Sequence, residues 1–372
     1  MTEMNKGLEG VIASQTKISS IIDDRLTYVG YDIGDLAEHA SFEEVIYLLW
    51  YYRLPNKREL AIFQEQLTKE MKLGHKIIAS LAVIAHEKVH PMSVMRTMVS
   101  MLGVYDKDSE GDSNLSNYSK AMKLVAKMPT LVAAYARMRK DEVPLQPRGD
   151  LSLAGNFLYM LTGTEPTPLH VKAMNRALVL HAEHEMNAST FSARVCVATL
   201  SDIYSGVTAA IGSLKGALHG GANEQVMVML AEIGDESNVV AYLDAKLAKK
   251  EKIMGFGHRV YENGDPRAQY LRDMCEELTT VTGDTKWYDI SRAVEQYVWD
   301  KKQLKPNVDF YSATVYHCLG IDQDLFTPIF TVSRIAGWSA HILEQYEDNR
   351  LIRPRAEYVG ETNNTYIPVE ER

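Results

Sequence analysis

Cysteine is scarce and scattered. Cys196, Cys275 and Cys318 are the only three in 372 residues, and none stands in a CxxC pair. Neither a disulfide framework nor a thiolate zinc site is therefore expected, and a reducing compartment fits. All three lie among apolar or helical residues, where a thiol is a buried spectator; Cys318 alone follows closely on a segment with chemistry in it. Long apolar runs are missing too. No stretch approaches about 18 uninterrupted apolar residues, so no membrane-spanning helix is expected. The opening MTEMNKGLEG has no basic stretch followed by an apolar one, so no secretory signal is expected and the cytoplasm is the expected location. Positive charge is in deficit, 40 Lys and Arg against 49 Asp and Glu, net −9. That disfavours nucleic acid and acidic membrane surfaces as partners. It also makes clustered arginine informative, because an anionic ligand would have to be drawn in against the overall field. Pro/Ser-rich linkers, solenoid repeats and low-complexity tracts are absent as well.

What is present is an ordinary globular composition, 46% apolar and 24% charged. The length suits two or three domains of roughly 100–200 residues each. The dominant hydrophobic period is helical. Ser41 and Glu44 form a capping box ahead of VIYLLWYY, which stops at Leu54-Pro55. Further helices are expected at 59–72, 76–86, 92–103, 117–140, 151–162, 167–187 and 191–214, with Pro91 and Pro129 as starts or kinks. After these come 222–233, 238–251, 266–280, 287–303, 309–319 and 327–346. Two-residue alternation is rare, and the best strand candidates are near 8–13 and 26–29. The expected class is all-α with a minor β element near the N-terminus.

Three strings carry acid–base side chains beside glycines or sharp changes of direction: LKGALHGGAN (214–223), IMGFGHRVYENGDPR (253–267) and PNVDFYSATVY (306–316). They offer His219, His258 and Asp309, a set suited to removing a proton from carbon while a neighbouring carbonyl is polarised. Each has a plainer explanation. His219 before two glycines fits a helix C-cap and a ligand-facing imidazole equally well. Asp309 on its own is better explained as a helix N-cap. At 255–267, glycines, His258 and Arg267 coincide, and Arg267 in a helix's first turn can clamp a carboxylate with two parallel bonds. The Lys-Ser/Thr pair of a P-loop is missing. HAEHEMNAS (181–189) sets His181 and His184 three apart on a helix, so both are expected on one face; a metal pair is conceivable, yet no third ligand follows at a recognised spacing. Arg334 falls inside the apolar helix FTPIFTVSRIAGWSAHIL, where a buried charge needs an anionic partner. Arg353 and Arg355 sit in a tail, LIRPRAEY, where solvation is the plain reading and reaching a second subunit the sharper one.

Taken together, GFGHRVY…DPR, LHGGAN and NVDFYS resemble the citrate synthases, and closely the short type of Gram-positive bacteria. The resemblance runs almost end to end, from GLEGVIA at 7–13 to IRPRAEYVG and PVEER. It implies a large helical domain (1–220 with 321–372) and a small one (221–320) around an active-site cleft, in a homodimer. It implies an acyltransferase of the tricarboxylic acid cycle that condenses acetyl-CoA, as co-substrate, with oxaloacetate and water to give citrate and CoA, with no permanently bound cofactor and no metal. By the same resemblance Asp309 removes the methyl proton and His219 steadies the enol. His258 polarises the ketone of oxaloacetate, and His184, Arg267, Arg334 and Phe330 belong to the oxaloacetate site. Arg353 completes the partner subunit's site, and the backbone of Ile253, Met254, Gly255, Phe256 and Gly257 holds the CoA adenine. Glu262 departs from the family's usual Lys, Arg, Thr or Gln, which weakens a CoA-phosphate contact there, and the HEMNAS segment is shorter than in animal members, which touches Asn187 as a substrate contact.

The alternatives are a 2-methylcitrate synthase acting on propionyl-CoA, a metal-dependent hydrolase built on His181, His184 and Asp309, and a catalytically silent helical scaffold. The first differs by one methylene, which an apolar pocket resolves only about 10–200-fold. The last leaves the HGGAN and GFGH glycines and the buried Arg334 without a purpose.

Overall fold

The computed structural model describes residues 6–8, 10–87 and 89–372. Near the N-terminus three short strands, β1 (Ser19–Ile22), β2 (Arg25–Tyr28) and β3 (Tyr31–Asp32), form an antiparallel sheet in sequence order. Ser19 faces Tyr28 and Ile22 faces Arg25, leaving Asp23 and Asp24 as the two-residue turn. Both have positive φ, 49° and 60°, the left-handed pair that matches the twist of a tight hairpin. The strand expected near 26–29 is β2. The one expected near 8–13 does not form: Leu8 ends a 3-10 turn, 11–13 have no regular structure, and Glu9 lies outside the described residues.

Sixteen α-helices follow among the described residues. The first five are α1 (Ile33–His39), α2 (Phe42–Tyr51), α3 (Lys57–Glu70), α4 (His75–Ala85) and α5 (Pro91–Tyr105). The expected capping box of Ser41 and Glu44 starts α2, and Asn56 with Glu59 builds a second one at α3. Then come α6 (Asn114–Met138), α7 (Leu153–Thr162), α8 (Pro168–His181), α9 (Ala188–Val197) and α10 (Ile203–Leu214). Pro129 sits inside α6, neither starting nor ending it. The expected single helix over 191–214 is two, because Leu200 turns left-handed (φ 65°) and the Asp202 side chain accepts from the Ser205 N–H to cap α10. The helix expected over 167–187 stops at His181, since Asn187 caps α9 instead by accepting from the Thr190 N–H.

The last six are α11 (Ala222–Ile233), α12 (Val239–Ala248), α13 (Arg267–Thr282), α14 (Lys286–Lys302), α15 (Val308–Cys318) and α16 (Phe326–Glu347). Helices α11 to α15 pack on one another, and this group meets the rest through α8, α1 and α16. α16 runs through the middle of the core. Every residue from Phe326 to Leu343 is buried, polar ones such as Arg334 and His341 included, and α2, α5, α6, α8, α9 and α10 surround it. No helix among the described residues is long and apolar enough to cross a membrane. Of the thiols expected to be buried, Cys275 is; Cys196 and Cys318 are half-buried.

Candidate active site

Five chain segments meet beside α16: the loop from α8 to α9, the turn from α10 to α11, the loop from α12 to α13, and the first turns of α13 and α15. In the first of these, His181 is the last residue of α8. Its Nδ1 donates to the Ala177 carbonyl at 2.8 Å, and burial pulls its pKa down to about 3. It is a neutral core histidine, edge-on to Phe330 at 4.9 Å between ring centres. His184 lies beyond the helix end, so the two histidines do not share a helix face. It is buried with Nε2 2.9 Å from the Tyr261 hydroxyl, and burial, then the charges of Arg267 and Arg334, hold its pKa well below that of a free imidazole. No group of three or more His, Cys, Asp or Glu in a metal-holding arrangement occurs among the described residues, so His181, His184 and Asp309 are not gathered as a ligand set.

The other two imidazoles are fixed as neutral donors, with protons on opposite nitrogens. His219 sits in the turn before α11. Its Nε2 accepts from the Ser189 N–H at 3.3 Å, which assigns the ring proton to Nδ1, and lies 2.8 Å from the Ser189 hydroxyl, whose own proton goes to Asn187 Oδ1. Ser189 is itself held by the Trp338 indole, whose Nε1 donates to its Oγ at 3.0 Å. For His258 the accepting atom is Nδ1, which takes the N–H groups of Val260 at 3.0 Å and Tyr261 at 3.4 Å, so its proton is on Nε2. Burial lowers both pKa values to about 4, assisted by Arg334 at His219 and by Arg267 at His258. The rings of His184 and His258 are 5.1 Å apart.

Asp309 is not the N-cap of α15. Asn307 is: its Oδ1 accepts from the Asp309 N–H, and its Nδ2 donates to the Gly257 carbonyl. The Asp309 carboxyl is thereby free of capping duty. The residue as a whole keeps partial exposure, but Oδ1 is enclosed without a hydrogen-bond partner. Burial raises its pKa to about 7; Arg267 and Arg334 pull the other way, and Asp265 adds to the rise. A carboxyl that titrates near neutrality is matched to general-base work at that pH.

Two guanidinium groups are buried here. Arg267 does clamp a carboxylate with two parallel bonds, but the carboxylate is Asp265, at 2.9 Å and 2.7 Å. Burial opposes ionisation of Asp265, yet the charge and bonds of Arg267 outweigh it and keep its pKa below the ordinary value. Asp265 also accepts from the Val308 N–H at 3.0 Å, tying the starts of α13 and α15 together. Arg334 is different. Its Nε donates to the His181 carbonyl at 2.7 Å, and its guanidinium lies 4.7 Å from the Phe330 ring centre. No carboxylate among the described residues forms an ion pair with it. Burial drops its pKa to about 10, only partly offset by the Glu183 charge. Such a cation favours an incoming anion strongly.

The 253–257 segment curls in front of α15. Gly255 (φ 84°) admits no side chain, since a Cβ there would come within 2.9 Å of Phe310 and Val226. Its carbonyl accepts from the Asn307 N–H, and the Gly257 N–H donates to the Lys305 carbonyl. Beside it opens a cavity of about 370 Å³ whose lining includes Gly257, His258, Tyr261, Lys305 and Asn307. Arg353 is exposed on the tail after α16 and takes part in no ion pair among the described residues. Ser189, Asp265, Asn307 and Tyr261 were not picked out by sequence reasoning as members of this site; the Asx and Asp-Pro-Arg capping patterns were the available signals for Asn307 and Asp265.

A mostly helical body that sets neutral imidazole donors and one carboxyl titrating near neutrality around buried guanidinium groups defines an enzyme that moves protons next to an anion. Residues 7–355 match the model of the citrate synthase C-terminal domain, and the chain belongs to the citrate synthase family. It is similar to citrate synthase 2 of Bacillus subtilis, 60% identical over 99% of each chain. A 2-methylcitrate synthase of Mycobacterium tuberculosis is 45% identical, over 96% of this chain and 91% of its own. Among solved structures, the citrate synthase of Thermoplasma acidophilum in ternary complex with carboxymethyl coenzyme A and oxaloacetate superposes with a TM-score of 0.92, at 33% identity over the whole of both chains.

Proposed function

We propose that the protein condenses acetyl-CoA with oxaloacetate and water to give citrate and CoA, as a cytoplasmic homodimer that feeds the tricarboxylic acid cycle and needs no resident cofactor. The observation that carries this reading is Asp309, an enclosed carboxyl poised near neutrality under the charges of Arg267 and Arg334, the same two arginines that act on the neutral imidazoles of His258 and His219. Asp309 as carboxylate takes a proton from the thioester methyl group. The His219 Nδ1–H donates to the thioester oxygen as it becomes an enol, so no full enolate charge has to be carried. The enol carbon then attacks the ketone carbon of oxaloacetate, and the His258 Nε2–H donates to the oxygen that gains the charge. Water hydrolyses the resulting citryl thioester and releases CoA. Arg334, with its unpaired guanidinium over Phe330, and the remaining donors of Arg267 take the carboxylates of oxaloacetate beside His184. Arg353 adds a contact in the other subunit's site, and the backbone of 253–257 holds the CoA adenine. Residues 221–320 close as a small domain on the large one, 1–220 with 321–372, which keeps water out until the carbon–carbon bond has formed.

The second reading, 2-methylcitrate synthesis from propionyl-CoA, is favoured by the 45% identity to an enzyme of that name. One assay separates the two: thiol release from acetyl-CoA and from propionyl-CoA, each with and without oxaloacetate. Oxaloacetate-dependent release that favours acetyl-CoA supports citrate synthesis, and preference for propionyl-CoA moves the protein to the second reading. No release from either with folded protein would defeat both.

A further inference from the structure

The tip of the N-terminal hairpin touches the loop that carries His258. Asp24 Oδ1 accepts from the Glu262 N–H at 2.8 Å. Its Oδ2 accepts from the Asn263 N–H at 2.8 Å and from the Asn263 side chain at 2.7 Å. The two preceding peptides, Val260 and Tyr261, point their N–H groups at His258 Nδ1. Four consecutive amides are thus shared out, two to the imidazole and two to Asp24. The root of the same strand holds the opposite wall of the site: the Tyr28 hydroxyl accepts from the Glu183 N–H at 3.1 Å and donates to the Glu183 carbonyl at 2.9 Å, next to His184. β2 therefore bridges the loops of His184 and His258 with about four residues of extended chain, roughly 14 Å at about 3.4 Å per residue. At its tip Arg25 pairs with Asp32 of β3 at 2.6 Å.

We propose that Asp24 is a positioning residue for His258: by fixing the 260–263 turn it keeps two N–H donors on Nδ1 and so keeps the proton on Nε2, where the substrate ketone is to be met. The Glu262 and Asn263 N–H groups favour the ionised carboxyl and hold the Asp24 pKa below its ordinary value, so the clasp is present throughout the neutral range. The inference rests on the role proposed for His258, but its test does not depend on turnover alone.

The test is Asp24→Ala in the full-length protein, with 15N-labelled histidine and the His258 signals assigned by their loss in His258→Gln. Wild type is expected to give a single neutral tautomer protonated at Nε2, and Asp24→Ala a mixture of both. With this, kcat for oxaloacetate-dependent CoA release falls about 10–100-fold, the scale of a site group displaced by about 1 Å, while the KM for acetyl-CoA and the melting temperature stay put. Asp24→Asn, which retains one acceptor oxygen, recovers part of the loss and serves as the variant to read if the alanine protein does not fold. A His258 that stays wholly Nε2-protonated in the variant overturns the proposal, whether or not kcat drops; so does an unchanged kcat. A wild-type protein that releases no CoA would defeat the proposed reaction, yet the tautomer comparison would still decide the clasp.

Discussion

Replacing Asp309 with asparagine separates what this side chain costs the fold from what it gives the reaction. Asn has the same shape but cannot ionise. Moving a carboxyl from 3.8 to about 7 corresponds to about 4 kcal/mol, at about 1.36 kcal/mol per pH unit. Partial exposure of the residue trims this to roughly 2–4 kcal/mol. The sign follows from proton counting. Below about pH 4 the group is protonated whether the chain is folded or not, and there is no penalty. Between about pH 4 and 7 the unfolded chain gives up the proton while the folded one keeps it, so the folded state loses ground steadily. Above about pH 7 both are ionised and the penalty is constant. Asp309→Asn should therefore be more stable than wild type by roughly 2–4 kcal/mol at pH 8, with the gap shrinking toward zero near pH 4. The assay is urea unfolding of both proteins at equal concentration, without substrate, across that range. In the same samples CoA release should fall by at least about 100-fold, the contribution of a general base, while oxaloacetate binding by calorimetry stays nearly unchanged. A pH-independent gap, or a destabilised variant, would refute the reasoning that desolvation is what lifts this carboxyl.

Other expectations are open to direct measurement. kcat/KM should rise with pH through about 7 as Asp309 ionises, with no additional limb from His219 or His258 between pH 5 and 8, because both titrate near 4; a second inflection in that range that disappears with His258→Gln would count against neutral imidazoles. Arg334→Met should weaken oxaloacetate binding by at least about 100-fold, yet leave the substrate-free protein as stable as before or more so, because a buried unpaired charge is exchanged for an apolar side chain; calorimetry and unfolding read the two halves separately. Mixing Arg353→Ala with Asp309→Asn subunits should restore part of the activity if Arg353 serves the other subunit's site, and verified heterodimers without activity would remove it from that role.

The acid–base residues could be read from the chain because they sit beside glycines and helix starts, which are local patterns. The capping box at Ser41 and the strand at Arg25–Tyr28 were legible for the same reason. What holds those residues in their protonation states was not. Asp24 is 238 residues from Glu262, and Ser189 is 30 from His219; no periodicity reports a hydrogen bond across such distances. Taken on its own, the Asp309 string favoured a cap because Asp is a good one, and only the structure reveals that Asn307, two residues earlier, already fills the position. The break at 198–202 was hidden by an Ala/Ser-rich run that continues the helical period across a left-handed Leu200. Arg334 was legible in the strict sense that its burial demanded an anion, and no carboxylate among the described residues forms an ion pair with it.

The central position of α16 also sets a clock on biogenesis. The helix begins at Phe326, whereas α2, one of the helices it must be packed between, is complete at Tyr51. At a synthesis rate of about 5–20 residues per second, roughly 15–55 s separate the two on the ribosome. During that interval the apolar face of α2, joined in turn by those of α5, α6, α8, α9 and α10 as each is made, lacks the element that fills the space between them. A nascent chain in this condition exposes apolar surface of the kind that makes folding intermediates prone to aggregate and that chaperones cover.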